Sequence, residues 1–277
     1  MCYSPSPFNH NFIDRFKRTD ARMDFHLTAI GLFVGFMVGL TGVGGAAILT
    51  PLLILLGISP TIAVGTDLAY NSITKIFGTF QHWRQRTVNV KVVRLFAIGS
   101  VPSAIIAVLT SQWIRHLYGS SDFLIKKVLG FALILIPVCM IVKAIHSRRS
   151  GKPSDPSEKP FAEKRGLPIA IGAILGFIVG LTSIGSGSLF ALALMYLFPM
   201  SGKEIVGTDI AHALLLVTAA GLAHASFGNV DYSLMVQLLS GSIPGVFLGS
   251  ILSTKVPTFL LRWCITLLIL ISGIKLL

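Results

Sequence analysis

Long apolar stretches, separated by short polar segments, make up most of the chain. The first apolar stretch extends from Phe25 to Gly57, and polar and glycine residues interrupt it at Thr41–Gly45. A single membrane span needs only about 20 apolar residues, so this stretch is too long for one uninterrupted helix. We therefore predict two half-helices, at about Leu27–Leu40 and Ala46–Leu56, followed by apolar segments at about 62–83, 92–110 and 123–145.

The second half of the chain repeats this pattern. An apolar segment at Leu167–Leu181 precedes a second break, Thr182–Gly187, and further apolar segments lie at about 188–198, 203–225, 231–252 and 257–276. At one constant offset, Gly35, Phe36, Val38, Gly39, Leu40, Thr41 and Gly44 recur as Gly176, Phe177, Val179, Gly180, Leu181, Thr182 and Gly185. After one inserted residue, the recurring positions are Val64–Asp67 with Val206–Asp209, His82 with His224, and Gly99, Ser100 and Pro102 with Gly241, Ser242 and Pro244. Such agreement over separated motifs indicates an internal duplication.

These segments predict an all-α polytopic membrane protein of two homologous halves. Each half has four hydrophobic segments, the first one broken in mid-membrane, which gives eight segments, or ten helices if the broken ones are counted twice. The predicted divisions are an N-terminal polar extension (1–24), a first transmembrane repeat (25–145), a linker (146–166) and a second transmembrane repeat (167–277). Interrupted apolar segments at matching places in two halves are typical of secondary transporters.

Two topologies fit this division. If each broken segment crosses the membrane once, each half has an even number of crossings and both termini are cytoplasmic. If it forms two short spans or a re-entrant hairpin, the number is odd and the halves are inverted. Lys and Arg favour the cytoplasmic side, and the basic loop at 84–94 fits the first topology slightly better. The break and the length of the segment favour inversion, which we take as the prediction.

The composition agrees with a membrane protein and excludes an ordinary soluble one. The chain of 277 residues is 53% hydrophobic and 12% charged, with a mean hydropathy of +0.79, whereas soluble domains carry about 25% charged residues. The net charge of +12 comes mostly from Lys and Arg between the apolar segments, where they meet lipid headgroups. No nucleic-acid partner is predicted, and the basic linker is expected in the cytoplasm.

Other features of the composition predict little chemistry. Cys2, Cys139 and Cys264 lie far apart without the spacing of a metal site, so we predict no metal and no cofactor. Residues 1–24 are polar and precede a long span without a small-residue cleavage site. We expect a surface extension rather than a cleaved signal peptide, with a start at Met23 as the alternative.

The two breaks are the candidate substrate site. A helix that stops inside a membrane exposes backbone groups, which is tolerated only where protein or a water-filled cavity surrounds them. The N-terminus of the continuing half-helix carries a partial positive charge and binds anions through free N–H groups. The predicted substrate-binding residues are Thr41, Gly42, Gly44, Gly45, Thr182, Ser183, Gly185 and Ser186. A kink that merely allows tight packing is the alternative.

Polar residues on the helix that follows each break are the candidate coupling or structural group. Asp67 and Asp209 are equivalent carboxylates, and burying such a charge in a bilayer costs about 2.5–3.5 kcal/mol. They could carry protons or hold the broken segments through hydrogen bonds. The group also includes Thr66, Asn71, Lys75, Thr208, His212, His82 and His224. Lys75 could pair with a carboxylate or attract an anion, and the histidines could relay protons or contact headgroups.

Two further patterns have a simpler explanation. Glycines recur every fourth residue at Gly31, Gly35 and Gly39, at Gly172, Gly176 and Gly180, and at Gly241, Gly245 and Gly249. This spacing lets helices approach closely in lipid, and we interpret it as packing. Arg94, Arg115 and Arg262 lie near the ends of predicted spans, where snorkelling to the interface is the expected behaviour.

The doubled motifs resemble the TauE/SafE family of sulfite exporters and sulfonate permeases. The matching features are the two Gly-x-x-x-Gly-Leu-Thr-(Gly/Ser)-x-Gly breaks, the Val-Gly-Thr-Asp after each, and the Gly-Ser-x-Pro of the third segment. The resemblance covers about residues 25–277 and implies a secondary transporter in the bacterial inner membrane. It implies a small sulfur-containing anion as substrate, held at Thr41–Gly45 and Thr182–Ser186. Gly42 and Gly45 stand opposite Ser183 and Ser186, so the two turns would contribute unequally.

The implied partners are this anion, protons or another coupling ion, and membrane lipid, while a homo-oligomeric assembly stays open. One competing hypothesis is an anion channel or an uncoupled membrane subunit. Another is an intramembrane hydrolase, in which Ser186 or Ser188 would pair with His212 or His224. The first half has Gly45 and Ala47 at the serine positions, so the serines are not part of the repeated pattern. We predict that the protein is not an enzyme.

Overall fold

The computed structural model describes residues 25–41, 46–150, 166–252 and 270–275, except for the side chains at 41, 46, 136–137, 139–150 and 250. Every element in these ranges is helical. The helices are α1 (Phe25–Thr41), α2 (Ala46–Leu55), α3 (Pro60–Arg84), α4 (Val90–Tyr118), α5 (Asp122–Ser150), α6 (Gly166–Thr182), α7 (Leu189–Leu197), α8 (Gly202–Ser226) and α9 (Tyr232–Leu252), followed by the short helical segment 270–275.

The predicted all-helical architecture is therefore confirmed over the described ranges. Three helices are long and apolar enough to cross a membrane, namely α4, α8 and the 232–249 part of α9. The helices α1 and α6 are equally apolar but shorter, because each ends where the sequence turns to Thr and Gly. The predicted N-terminal extension, and the linker from 151 to 165, lie outside the described residues.

Two helices are longer than the apolar pattern predicted. The helix α4 continues to Tyr118, past the apolar limit near Thr110, and α5 continues to Ser150, inside the range predicted as linker. Hydropathy marks where a segment leaves the hydrocarbon, whereas a helix ends where its backbone finds a terminating turn. Gly119, with φ 76°, provides that turn for α4.

Large apolar side chains cover much of the outer surface. Phe77, Trp113, Phe131 and Phe247 are each more than half exposed. Polar groups are buried instead, among them two aspartates and two histidines. This distribution is that of a protein whose outer surface faces lipid and whose interior holds the polar groups.

The predicted glycine packing places the halves in intimate contact. A methyl group added at Gly31 would collide with the backbone of Leu238, and one at Gly35 with that of Ser242. Residue numbers thus increase in the same direction along α1 and α9, so these two helices are parallel. The same relation joins α6 to α4, where Gly176 lies on the backbone of Ser100. Each broken helix therefore packs against a long helix of the opposite half.

The central pair of helices runs in opposite directions. Gly65, near the start of α3, lies against the backbone of Asn229, just beyond the end of α8. Gly78, near the end of α3, lies against Ile210, near the start of α8. The two helices are antiparallel, and they place the polar residues that follow each break side by side.

Candidate functional site

The second break is a compact turn between α6 and α7. Ser183 has φ 62° and Gly185 has φ 97°, so both residues occupy the left-handed region. Glycine adopts this region freely, but serine does so only under strain. The turn therefore places a serine in a backbone conformation that this residue type does not favour.

The Thr182 hydroxyl stabilises this turn. It donates to the carbonyl of Ile178 at 2.7 Å and accepts from the N–H of Ile184 at 3.3 Å. The N–H of Leu189 returns to the carbonyl of Gly185 at 3.3 Å. Among the described residues, no hydrogen bond engages the N–H groups between Ile184 and Leu189. The turn thus presents donors at the start of α7, close to the buried hydroxyls of Ser183 and Ser186.

The structure describes only the residues on either side of the first break. Thr41 is the last residue of α1, and α2 begins at Ala46. The Thr41 side chain and the predicted site residues Gly42, Gly44 and Gly45 lie outside the described residues.

Asp67 is completely buried and held on both carboxylate oxygens. Thr50, on α2, donates to Oδ2 at 2.6 Å, and the Asn71 amide donates to Oδ1 at 2.7 Å. The Ser183 hydroxyl lies beside this carboxylate without reaching hydrogen-bonding geometry. Asp67 thus joins the first half-helix pair to α3 and borders the second break, which is the arrangement of a structural clasp.

Asp209, the equivalent residue on α8, has a different environment. It is 5% exposed, and its Oδ1 has no hydrogen-bond partner among the described residues. Lys75, half-buried on α3, interacts electrostatically with both Asp209 and Asp67 without a direct ion pair in the described part of the chain. Lys75 stands where the second half has Val217, so it has no counterpart.

His212 lies one helical turn beyond Asp209. Its Nε2 is 2.8 Å from the Ser100 hydroxyl, and its ring centroid is 4.2 Å from that of Phe190. Its buried Nδ1 has no partner within the described residues. Tyr70 stands at the equivalent position in the first half and hydrogen-bonds to Ser242, the equivalent of Ser100. One polar contact is therefore duplicated with different chemistry.

Thr66 and Thr208 hold helices in position through backbone hydrogen bonds. The Thr66 hydroxyl accepts from the N–H of Asp231, and the Thr208 hydroxyl accepts from the N–H of Asn89, each at 3.0 Å. Asp231 and Asn89 precede α9 and α4, and the side chain of each accepts the N–H of a residue in the first turn. Each threonine thus anchors the start of a long helix of the opposite half.

His224 connects the second break to the end of α4. Its Nε2 donates to the carbonyl of Gly180 at 3.1 Å, which assigns Nδ1 as the acceptor from the Asn229 amide at 3.4 Å. Arg115, which the sequence predicts to snorkel, donates to the Asn229 carbonyl oxygen at 2.9 Å. Asn229 lies just beyond the end of α8, so this contact and snorkelling are compatible. His82, the counterpart of His224, contacts Thr87 at 2.9 Å.

The sequence reasoning missed several residues of this polar interior, namely Thr50, Tyr70, Ser100, Ser242, Asn229 and Arg115. Ser100, which contacts His212, and Ser242, which contacts Tyr70, belong to the doubled Gly-Ser-x-Pro motif, so the sequence carried a signal for these two serines. Thr50 and Asn229 had none, because nothing in a single sequence shows which distant helix will face a given hydroxyl or amide.

Comparisons with known proteins agree with the doubled motifs. The profile of the family described as sulfite exporter TauE/SafE matches residues 27–276. The chain is 54% identical to "Probable membrane transporter protein YjnA" of Bacillus subtilis over 254 residues, which cover 92% of this chain and 100% of that one. It is 28% identical to "Probable membrane transporter protein YunE" of the same organism, over 90% of this chain and 96% of that one.

A more distant similarity reaches an archaeal protein. "Probable membrane transporter protein MJ0441" of Methanocaldococcus jannaschii is 30% identical over 58% of this chain and 57% of its own length. No solved structure matches the chain significantly.

Proposed function

Since the chain belongs to the sulfite exporter TauE/SafE family, and is thus a membrane transporter, we propose that it carries a small sulfur-containing anion by a secondary active mechanism. Sulfite and sulfonates are the substrates that fit the proposal. The mechanism would be alternating access driven by a proton or another ion gradient.

The observation that carries this proposal is the turn between α6 and α7. This turn directly precedes the start of α7, and its residues Ser183 and Ser186 are buried inside the protein. Sulfite and sulfonate oxygens accept hydrogen bonds, and a helix N-terminus attracts negative charge. The equivalent glycine turn at 42–45 would complete the site from the other half.

We further propose that the halves form an inverted repeat, which alternating access would exploit. The antiparallel packing of α3 with α8 supports this, because these helices occupy equivalent positions in the two halves. The parallel pairs α1 with α9 and α4 with α6 are compatible with this arrangement. A two-fold axis perpendicular to the helices would exchange both sets of contacts.

The proposed location is the bacterial inner membrane, with the basic linker at 146–166 in the cytoplasm. The hydrolase alternative finds little support, since His212 contacts Ser100 and His224 contacts Gly180 and Asn229. A channel or an uncoupled subunit remains the second candidate, and a flux measurement separates it from a coupled carrier.

The test is radiolabelled sulfite, sulfonate and sulfate flux in liposomes containing the purified protein. We expect sulfite or a sulfonate to enter these liposomes faster than protein-free liposomes, and the rate to change with an imposed pH gradient. Ser186→Ala should lower this flux, and Ser226→Ala, at the exposed end of α8, is the matched control. Failure of every sulfur anion to move would refute the substrate class, and flux indifferent to all ion gradients would favour a channel.

A further inference from the structure

We propose that Asp209, with His212 beside it, is the proton-binding site of the transporter, and that Asp67 is a fixed structural group. The inference rests on the proposed function, because it names the coupling ion and the residue that takes it. It also assigns different roles to two carboxylates that occupy equivalent positions in the duplicated sequence.

The first observation is where unsatisfied polar atoms occur. A buried side-chain atom without a hydrogen-bond partner is rare and marks a place for water, an ion or a reactive group. Within the described residues four such atoms occur, and Asp209 Oδ1 and His212 Nδ1 are two of them. They lie one turn apart on α8, on neighbouring positions of the helix surface. A proton bound at Oδ1 would turn this atom into a hydrogen-bond donor. His212 Nδ1 offers a second place for that proton or for a bound water.

The second observation is that Asp67, unlike Asp209, has hydrogen-bond donors on both of its carboxylate oxygens. Each of its oxygens already accepts a hydrogen bond, from Thr50 and from Asn71, and such bonds favour the ionised form of a carboxylate. In the second half, Ala213 replaces Asn71, and an apolar residue, Ala191 or Leu192, replaces Thr50. The second half thus lacks side-chain donors at the positions equivalent to those that hydrogen-bond Asp67.

The third observation is the balance of charge. Lys75, on α3, interacts electrostatically with Asp209, His212 and Asp67. In the proposed resting state Asp67 is ionised, Lys75 is charged and Asp209 is protonated, so the three groups together are neutral. Loss of the proton leaves one negative charge uncompensated in a low-dielectric interior.

The side chains of the described helices that contact His212 are uncharged. The helix α4 faces His212 with Ser100 and Phe96, and α7 faces it with Phe190. An anion is therefore admitted near Lys75 most easily when Asp209 carries its proton. Proton and anion then occupy the transporter together and move in the same direction.

Carbodiimide labelling tests the site in the wild-type protein without any substrate. Dicyclohexylcarbodiimide adds covalently to protonated carboxyl groups in apolar surroundings, and mass spectrometry of the digested protein locates it. We expect Asp209 to be labelled at least tenfold faster than Asp67, with a rate that falls as the pH rises. Equal labelling, faster labelling of Asp67, no labelling of either, or suppression by sodium ions at fixed pH would overturn the proposal.

Transport by the Asp209→Asn variant tests the coupling. The amide imitates the protonated carboxyl, so sulfite exchange across liposomes should persist while sulfite-driven proton uptake falls to the protein-free level. Asp209→Glu should restore proton movement in part. Proton movement that survives in Asp209→Asn, or that runs opposite to sulfite in the wild type, would overturn the proposal. If the wild type moves no sulfur anion, the proposed function fails, and the labelling result still decides the proton site.

Discussion

The two buried aspartates occupy equivalent positions in the duplicated sequence and differ in every hydrogen bond. Asp67 is gripped by Thr50 and Asn71, whereas Asp209 leaves an oxygen without a partner among the described residues. Lys75 lies near both, but only the first half provides it. The difference indicates that duplication supplied one frame and that the chemistry of the two halves diverged inside it.

The frame itself is closely symmetric. Thr66 and Thr208 accept backbone N–H groups at the same distance, and Gly35 and Gly176 lie against the backbones of Ser242 and Ser100. Contacts that position helices are thus duplicated, and contacts that set the charge of the interior are not. Each prediction below tests one side of this contrast.

The largest effect is expected in the symmetric frame. A side chain at Gly35 or Gly176 would strike the backbone of the neighbouring helix, which cannot yield as a flexible side chain could. Gly35→Val and Gly176→Val should each lower the free energy of unfolding by about 3 kcal/mol or more. The two losses should be similar. The measurement is the fraction of monodisperse protein in detergent by size-exclusion chromatography.

The control for these two variants is Gly202→Val, at the exposed start of α8, where an added Cβ meets no atom within 4 Å. It should leave the elution profile close to that of the wild type. If only one of the two packing variants failed, the helix pairs α1–α9 and α4–α6 would not be equivalent.

The second effect separates the two aspartates by stability alone. Asp67→Asn places an amide N–H₂ against a donor from Thr50 or Asn71, so it should cost about 2 kcal/mol and lower the Tm by about 5 °C. Asp209→Asn puts a neutral amide in place of a carboxyl whose Oδ1 has no hydrogen-bond partner within the described residues, so its Tm should equal or exceed that of the wild type. Thermal unfolding in one detergent compares them directly. A larger loss for Asp209→Asn would mean that its carboxylate is the structural one.

The sequence predicted the parts of this molecule that depend on local pattern. Apolar length and the glycine interruptions predicted helix ends at Leu40 and Leu181, one residue before the observed ends at Thr41 and Thr182, because both signals lie within a few residues of the feature. The duplication also paired Asp67 with Asp209 and His82 with His224. The helix ends at Tyr118 and Ser150 were missed, because polar residues continue a helix as readily as they leave a membrane.

The partners of the paired residues could not be predicted in this way. Thr50 reaches Asp67 from another helix, and Arg115 reaches Asn229 across more than a hundred positions of sequence. Such contacts follow from helix crossing and rotation, which no single sequence displays. The asymmetry between Asp67 and Asp209 was therefore visible only in three dimensions, although the loss of Asn71 in favour of Ala213 was its trace in the sequence.

The smallest effect concerns the turn residues that differ between the halves. Ser183→Gly gives the second turn the residue that the first half carries at position 42. Glycine relieves the left-handed strain of φ 62°, worth about 1 kcal/mol, but it also loosens the unfolded chain by a similar amount, so stability should change by less than about 0.5 kcal/mol. The hydroxyl has no hydrogen-bond partner within the described structure, so its removal leaves no group unsatisfied.

If this hydroxyl donates to the transported anion, its loss should weaken the apparent affinity for sulfite about fivefold, the equivalent of one hydrogen bond of about 1 kcal/mol. Unchanged affinity would remove Ser183 from the substrate site, and a stability loss above about 1 kcal/mol would show that its hydroxyl supports the turn.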